Sequence, residues 1–293
     1  MAVELQAISA GNSPAFNIDT EVMFSDRKGH YKKRIEKRQR KLLKYLPDLD
    51  RFLTQDEKVL LVTTGCSPMG FLEWYVTGWV IYYIKRSLFV VTNKRIFHIP
   101  TTRSYQYRNS IAEIRYADCR SIEIRGSHLK VEYKSGEKES FGYIARSERG
   151  KIKELLGKLS YEGQPSALPV RKHLCPRCTA ILEPDNFTCP SCRLQFKSIS
   201  EGRNISIIFP GGGYFYTGHP LLGISDAIVE IILILLVVSA IVDLLNGVPD
   251  SGGMLAVAGL FLVFEKIVSV YHANHFIEEY IPKDKNITPV PGT

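Results

Sequence analysis

Four of the six cysteines in this 293-residue chain form two Cys-X-X-Cys pairs. Cys175 pairs with Cys178, Cys189 pairs with Cys192, and ten residues separate the pairs. The thiolates of each pair can point at one ion, and the spacer is long enough for a hairpin that brings the pairs together. Four thiolates at about 2.3 Å from an ion make a closed tetrahedral site. This spacing therefore predicts a structural Zn²⁺ centre.

The predicted zinc ribbon covers residues 173–198, a segment too short to fold by apolar burial, so metal would supply most of its folding free energy. Disulfides are the alternative, disfavoured where thiols stay reduced. The paired Cys-Pro-X-Cys motifs also resemble rubredoxin, which implies iron and electron transfer. Rubredoxins carry Gly where this chain has Thr179 and Arg193, and their spacer is longer, which favours zinc. The isolated Cys66 and Cys119 are predicted to be reduced core residues.

Two long apolar runs follow the ribbon and predict a membrane hairpin over residues 205–276, with spans at about 221–245 and 253–273. A membrane span needs about 20 mostly apolar residues. Branched aliphatic side chains occupy every side of the first run, whereas a helix of a soluble bundle would show a polar stripe. A pair of buried helices in a soluble bundle is the alternative.

The distribution of charge predicts how this hairpin is oriented. The connector at 246–253 contains no Lys or Arg, whereas most of the net charge of +8 lies before the hairpin. The positive-inside rule then places both termini in the cytoplasm, including a tail at 277–293. We expect a multi-pass protein of a bacterial inner membrane that contacts anionic lipid. Nucleic acid, the other partner of basic chains, is not expected beside two spans.

The start of the hairpin carries the motif GGGYFYTG, from Gly211 to Gly218, and the first apolar run ends near Asp243. These features resemble the two-transmembrane-helix domain family. The His-Arg that usually precedes Phe-Tyr in that family is missing here. The resemblance therefore implies the two-helix architecture, and no function is inferred from it.

Three charged residues in the apolar runs are candidates for function, because charges at membrane depth are costly. Glu230 and Lys266 lie at similar depths of about 12–14 Å in antiparallel helices and are predicted to pair, with Asp226 one turn away. A structural pair in a homo-oligomer and a proton path or ion site are both open. Small residues that would allow close helix approach in an oligomer are Gly252, Gly253, Ala256, Ala258 and Gly259.

The N-terminal part predicts a lead-in and a basic helix. Residues 1–26 begin without a basic stretch before an apolar core, so we expect a disordered lead-in and no secretory signal. Residues 27–50 form a predicted amphipathic helix, with ten basic residues and one Glu between Arg27 and Lys44. This helix can lie on lipid headgroups or pack on the next domain.

Residues 53–161 contain eight short segments rich in β-branched and aromatic residues, followed by a helix from Ser147 to Tyr161. They predict a small antiparallel β-barrel with a C-terminal helix at one open end. The segment from Met69 to Ile84 is assigned to a strand, and a third membrane span is the alternative because Glu73 is its one charge. A linker at 162–172 ends the domain.

The sequence VTNKRIFHI, from Val91 to Ile99, and LTQDEKVLLV, from Leu53 to Val62, resemble bacterial pleckstrin-homology (PH) and GRAM-like domains. The resemblance implies a non-catalytic scaffold that binds lipid headgroups or protein segments. Candidate residues for lipid or partner binding in this part of the chain are Lys32, Lys33, Arg34, Lys94, Arg95, Arg103 and Arg108.

Together these features predict a multidomain α+β membrane protein that is not an enzyme. No phosphate loop, nucleophile with a base, or pair of catalytic carboxylates stands out, and a closed zinc site leaves no position for catalysis. The expected function is an adaptor that docks an unidentified protein or anionic lipid at the inner membrane. A small oligomeric transport component and an iron-containing electron carrier are the alternatives.

Overall fold

The computed structural model describes residues 16–284 and 287, apart from the side chains of Phe71, Leu72 and Val76. Its helices are α1 (Thr20–Phe24), α2 (Lys33–Leu43), α3 (Phe71–Thr77), α4 (Ile81–Ile84), α5 (Arg146–Lys158), α6 (Ile199–Ile208), α7 (Gly212–Thr217), α8 (Pro220–Leu245) and α9 (Ser251–Ile277). Its strands are β1 (Val59–Cys66), β2 (Arg86–Thr92), β3 (Arg95–Pro100), β4 (Ile111–Arg115), β5 (Cys119–Arg125), β6 (His128–Tyr133), β7 (Lys138–Phe141) and β8 (Lys172–Leu174). The protein is therefore mixed α+β, as predicted.

The chain divides into two compact units. The first contains Lys85–Lys172 and the described residues before Phe71, and the second contains Phe71–Ile84 and the described residues from His173 onward. The apolar helices and the four paired cysteines thus belong to the second unit.

Seven strands of the first unit form two antiparallel sheets. Strands β1 to β4 pair in chain order, and so do β5 to β7. An isolated bridge joins Cys66, at the end of β1, to Gly142, just after β7. The described strands do not close into one barrel, so the barrel prediction is not confirmed, although strand positions other than 69–84 agree with the sequence pattern.

One apolar core lies within the first unit and draws on both sheets and on α5. Phe89 of β2, Tyr133 of β6 and Phe141 of β7 are fully buried in it, together with Ile152 and Leu156 of α5. The spacing of four residues between Ile152 and Leu156 puts both side chains on one face of the helix. Helix α5 is therefore present where its sequence pattern predicts a helix, and it packs on the core of the two sheets.

The basic helix α2 packs on the first unit. The Gln39 side chain is buried and makes two hydrogen bonds with the Val62 backbone, accepting from its N–H and donating to its carbonyl oxygen, both at 2.9 Å. Arg38 forms an ion pair with the buried Glu148 of α5. Of the two sequence-based alternatives for this helix, packing on the neighbouring domain is the one observed.

The predicted disordered lead-in is wrong for the part that the structure describes, whereas residues 1–15 lie outside the described residues. Asp19 caps α1 by accepting a hydrogen bond from the Val22 N–H at 2.9 Å. The Met23 side chain is fully buried, and the Lys151 ammonium donates to the Met23 carbonyl at 3.2 Å. Apolar burial and satisfied helix ends order this short helix.

The strand predicted within residues 69–84 is also wrong. The segment forms two short helices, α3 and α4, joined by a 3₁₀ turn in which Gly78 has a φ of +54°. Trp74 and Trp79 are exposed to 48% and 69%, and Glu73 is buried 3.3 Å from His275 of α9. The sheet does not need a strand from this segment, because β1, which precedes it in the chain, pairs directly with β2, which follows it. It does not form one continuous span either.

Helices α8 and α9 are long and apolar enough to span a membrane, with mean hydropathies of 2.9 and 1.9 over their most apolar windows. At about 1.5 Å per residue each exceeds the ~30 Å hydrocarbon core of a bilayer. Their large apolar side chains point outward: Leu221, Leu245 and Leu260 are exposed to 78%, 82% and 71%. Such a surface is rare on a soluble protein.

Candidate functional site

The first cysteine pair lies in a tight turn directly after β8. The Cys175 N–H donates to the Ala180 carbonyl at 2.8 Å, and the Thr179 N–H donates to the Cys175 carbonyl at 2.9 Å. Thr179 has a φ of +61°. This left-handed residue turns the chain back, so that Cys175 and Cys178 present their sulfurs on one side.

The second pair repeats this geometry. The Cys189 N–H donates to the Leu194 carbonyl at 2.9 Å, and the Arg193 N–H donates to the Cys189 carbonyl at 3.1 Å. Arg193 has a φ of +59°. The two non-glycine residues at which the sequence departs from rubredoxin therefore both adopt the left-handed conformation that glycine adopts most easily. Both knuckles thus form the same turn with a non-glycine residue in the left-handed position.

The four sulfurs converge on one point. Cys175 Sγ lies 3.5 Å from Cys192 Sγ, Cys178 Sγ lies 3.5 Å from Cys189 Sγ, and all four lie within 4.8 Å of one another. A tetrahedron with metal–sulfur distances of about 2.3 Å has sulfurs about 3.8 Å apart. The residues present thus fit a four-coordinate ion of the zinc type, and none of the four positions is left for substrate.

Backbone amides face the sulfurs and favour their anionic form. The N–H groups of Arg177 and Cys178 hydrogen-bond Cys175, and those of Ser191 and Cys192 hydrogen-bond Cys189. Burial raises the pKa of the Cys175 thiol. At Cys189 burial acts in the same direction, but the amide donors and neighbouring thiols outweigh it and hold the pKa below its ordinary value. These donors would stabilise thiolates around a cation.

The other two cysteines are separate from this cluster. Cys66 and Cys119 are buried cysteines of the first unit. Burial raises the pKa of Cys66 to about 11 and that of Cys119 to about 12, so both stay protonated at neutral pH.

Residues just after α9, which are assigned from sequence to a cytoplasmic tail at 277–293, pack into the ribbon. Tyr280 is buried in the ribbon core, stacks on Phe187 at 5.4 Å between ring centroids, and donates its hydroxyl to the Glu183 carbonyl at 2.9 Å. The Lys197 N–H donates to the Ile281 carbonyl at 3.0 Å. The ribbon therefore contains chain from both sides of the helical hairpin.

Replacing Thr179 and Arg193 with glycine is expected to strengthen zinc binding. A left-handed φ costs a non-glycine residue about 1–2 kcal/mol, and part of this cost disappears with glycine. We expect zinc affinity to rise about fivefold per substitution, which corresponds to about 1 kcal/mol. Competition with a chromophoric chelator measures the change.

The matched control for this pair is Ser191→Gly, which lies in the second knuckle and has no left-handed φ. Its zinc affinity should stay the same or fall. If Thr179→Gly and Arg193→Gly lose as much zinc affinity as Ser191→Gly does, the left-handed residues do not strain the turns and this prediction is wrong.

A second group of chemically active side chains lies among α6, α8 and α9. The structure brings Glu230 and Lys266 together, with Nζ 2.5 Å from Glu230 Oε2, and Nζ also donates to the Ser206 carbonyl at 2.8 Å. Glu230 is fully buried. Asp226 accepts a hydrogen bond from Ser269 Oγ at 3.2 Å.

Glu265 joins this group, although the sequence analysis did not select it. Oxygens of Asp226, Glu230 and Glu265, hereafter the carboxylate cluster, lie within 4.8 Å of one another. A signal was present in the sequence: Asp226 and Glu230 are four residues apart and share a helix face, and Glu265 directly precedes Lys266.

The candidate lipid-binding residues lie on several elements of the first unit. Arg95 is 14% exposed, binds Glu57 at 2.7 Å and pairs with Glu113, so its charge is neutralised within the sheet. Lys94 Nζ donates to Thr54 Oγ1 at 2.9 Å. Lys32, Lys33 and Arg34 are exposed at the start of α2, and Lys32 lies 3.8 Å from Asp26. Arg103 and Arg108 lie between β3 and β4.

Comparison with protein-family models, with curated proteins and with solved structures finds no match to this chain. The function is therefore inferred from the geometry of the two units alone.

Proposed function

We propose that this protein is a non-catalytic, membrane-anchored adaptor that docks a protein or anionic lipid headgroups at the inner membrane. The proposal rests on one observation: the second unit contains both the four-cysteine site and the two outward-facing apolar helices. A closed site orders a binding module, and the helices hold it at a membrane.

The membrane anchor is supported by the exposed apolar side chains of α8 and α9. A soluble protein would bury them, because each large apolar side chain gains about 1.5–3 kcal/mol on leaving water. The connector at 246–253 without Lys or Arg, together with the basic chain before it, favours a hairpin with both termini in the cytoplasm.

The metal of the adaptor would be zinc in a structural role. Cys175, Cys178, Cys189 and Cys192 would hold it, and the ion would supply the free energy that orders the ribbon. A four-thiolate shell has no open position for a substrate or water, which is the arrangement of structural zinc sites. The ribbon surface would then serve to dock a partner.

The first unit would act as a PH-like or GRAM-like module. Support comes from its seven antiparallel strands in two sheets, the C-terminal helix α5 over their core, and the Thr-Asn-Lys-Arg turn between β2 and β3. The exposed basic side chains of α2 offer a surface for anionic headgroups or an acidic protein segment. Membrane lipid and an unidentified protein are the proposed partners.

The adaptor proposal predicts that partner recovery depends on the ribbon. Affinity purification from membranes with the intact protein should recover a partner that falls at least tenfold with the double variant Cys175→Ser, Cys178→Ser. A second variant, Lys37→Glu with Lys41→Glu, tests the exposed face of α2, where both residues are exposed.

The matched control is Asp243→Asn, since Asp243 lies at the far end of α8, outside both cysteine and carboxylate clusters. This variant should recover the same proteins as the intact chain. If the ribbon and α2 variants also recover the same proteins in equal amounts, neither surface docks a protein, and the part of the proposal that concerns a protein partner fails.

A transport or channel component is the second candidate, favoured by the buried carboxylate cluster. A conduit should lose its activity on Glu230→Gln, whereas an adaptor should still recover its partner. An electron carrier with an iron-loaded ribbon is distinguished by metal analysis, because it would copurify with iron in place of zinc.

A further inference from the structure

The carboxylate cluster contains more negative charge than its neighbours neutralise. Asp226, Glu230 and Glu265 contribute three carboxylates, and Lys266 is the one cation in contact with them in the described part of the chain. Two negative charges remain when all groups are ionised. Buried charge of one sign is costly unless a cation or a proton compensates it.

Oxygen atoms in the cluster also lack donors. Glu230 is fully buried, and its Oε1 accepts no hydrogen bond from any described residue. Glu265 Oε2 is likewise buried and without a donor among the described residues. Lys266 is already engaged by Glu230 Oε2 and the Ser206 carbonyl. An unsatisfied buried acceptor costs about 1–3 kcal/mol, more when it is charged.

A cavity of about 560 Å³ gives access to the cluster. Asp226 and Glu265 lie in its wall, and the rest of the lining is mostly apolar, including Tyr214 and Phe261. Thr77 and Val80, from the segment between β1 and β2, complete it. An ion could therefore reach the carboxylates through this cavity.

We propose that the carboxylate cluster binds one hard divalent cation of the Ca²⁺ type, for which Mn²⁺ serves as a spectroscopic probe. Such an ion would neutralise the two remaining charges and occupy the oxygens that lack donors. Oxygens within 4.8 Å of one another can share an ion at metal–oxygen distances of about 2.3–2.6 Å. Mg²⁺ requires about 2.0–2.1 Å and a near-octahedral shell, so it fits less well. This inference is independent of the adaptor proposal.

The test uses the full-length protein with its ribbon loaded with zinc, in nanodiscs of zwitterionic phosphatidylcholine so that lipid does not bind the metal. Titration with Mn²⁺ is followed by the loss of the free-ion electron paramagnetic resonance signal. We expect one Mn²⁺ per chain above empty nanodiscs. Ca²⁺ should displace it at concentrations at least tenfold lower than Mg²⁺.

Glu230→Gln and Glu265→Gln should each lower Mn²⁺ affinity at least tenfold. Glu265 is only half-buried, so Glu265→Gln is expected to fold even if the substitution of the fully buried Glu230 disturbs folding. Asp243 lies on α8, the helix of Glu230, but outside the cluster. The variant Asp243→Asn should therefore bind Mn²⁺ as tightly as the intact chain does. Lys266→Met should raise affinity severalfold, because it removes the ammonium that competes for Glu230.

Zinc content and size-exclusion behaviour verify that each variant is folded. The proposal is overturned if the intact protein binds no Mn²⁺, or if both glutamine variants bind Mn²⁺ as tightly as the intact protein does.

Discussion

The double variant Cys175→Ser, Cys178→Ser is expected to lose its zinc entirely, from one ion per chain to none. Two hydroxyl groups replace two of the four thiolates, and serine does not ionise to bind zinc at neutral pH. Apparent binding free energies of structural zinc in small modules are about 10–16 kcal/mol, so the loss should unfold the ribbon. Metal analysis and amide hydrogen exchange over residues 173–198 measure both effects.

The same exchange experiment should detect loss of protection at residues 279–283, because Tyr280 lies in the ribbon core. Cys66→Ala is the control: this buried cysteine of the first unit should leave zinc content unchanged. Retention of one zinc by the double variant would contradict the four-thiolate site. Iron in the intact protein would favour the electron carrier instead.

Replacement of Arg95 with methionine is expected to destabilise the first sheet by about 3–5 kcal/mol, the cost of removing one partner from a buried ion pair. The Arg95 guanidinium donates to Glu57 at 2.7 and 3.0 Å and to the Phe52 carbonyl at 2.7 Å, and it also pairs with Glu113. Methionine leaves both carboxylates buried without a cation. Hydrogen exchange in β2 and β3 of the full-length protein gives the local free energy of opening.

The effect of Arg95→Met should depend on pH. Burial opposes ionisation of Glu57, but Arg95 outweighs it and holds the Glu57 pKa below its ordinary value. The pair therefore stabilises the native protein fully above a pH of about 4.3, and this contribution is lost as the pH falls through the lowered pKa. In the variant burial prevails and raises the pKa, so acidification from pH 7 to 5 should recover part of the lost stability.

Arg120→Met provides the matched control for this prediction. Arg120 lies 3.3 Å from Glu132, and its side chain is 65% exposed, so solvent screens the pair. Its removal should cost less than about 1 kcal/mol and show little dependence on pH. An equal loss for both variants would indicate that the burial of Arg95 does not matter.

Local sequence spacing predicted the parts of this fold that depend on neighbouring residues. The two Cys-X-X-Cys pairs set their own turns, so the geometry around Cys175 and Cys189 follows from spacing even with Thr179 in place of glycine. The alternation of apolar residues likewise located β5, β6 and the turn at Gly136, because side chains of a strand alternate between two faces.

The parts that sequence analysis missed depend on contacts between distant segments. The aromatic and β-branched residues of 71–84 favour a strand, but Glu73 is buried beside His275, which is 202 residues away, and the segment is helical. Tyr280 follows the two charged residues Glu278 and Glu279 beyond the end of α9, and its role depends on Phe187. Glu265 enters the carboxylate cluster through the pairing of α8 with α9, which periodicity alone does not specify.

The place of Tyr280 in the ribbon core also sets the order in which the protein can be completed during synthesis. Tyr280 follows Cys192 by 88 residues, and α8 and α9 lie between them. At about 5–20 residues per second, all four cysteines leave the ribosome seconds before Tyr280 does. The ribbon can bind metal soon after its cysteines leave the ribosome. It reaches its final structure only after α9 has been synthesised and Tyr280 has packed into the ribbon core. Completion of the ribbon would thus report that the hairpin has been made in full.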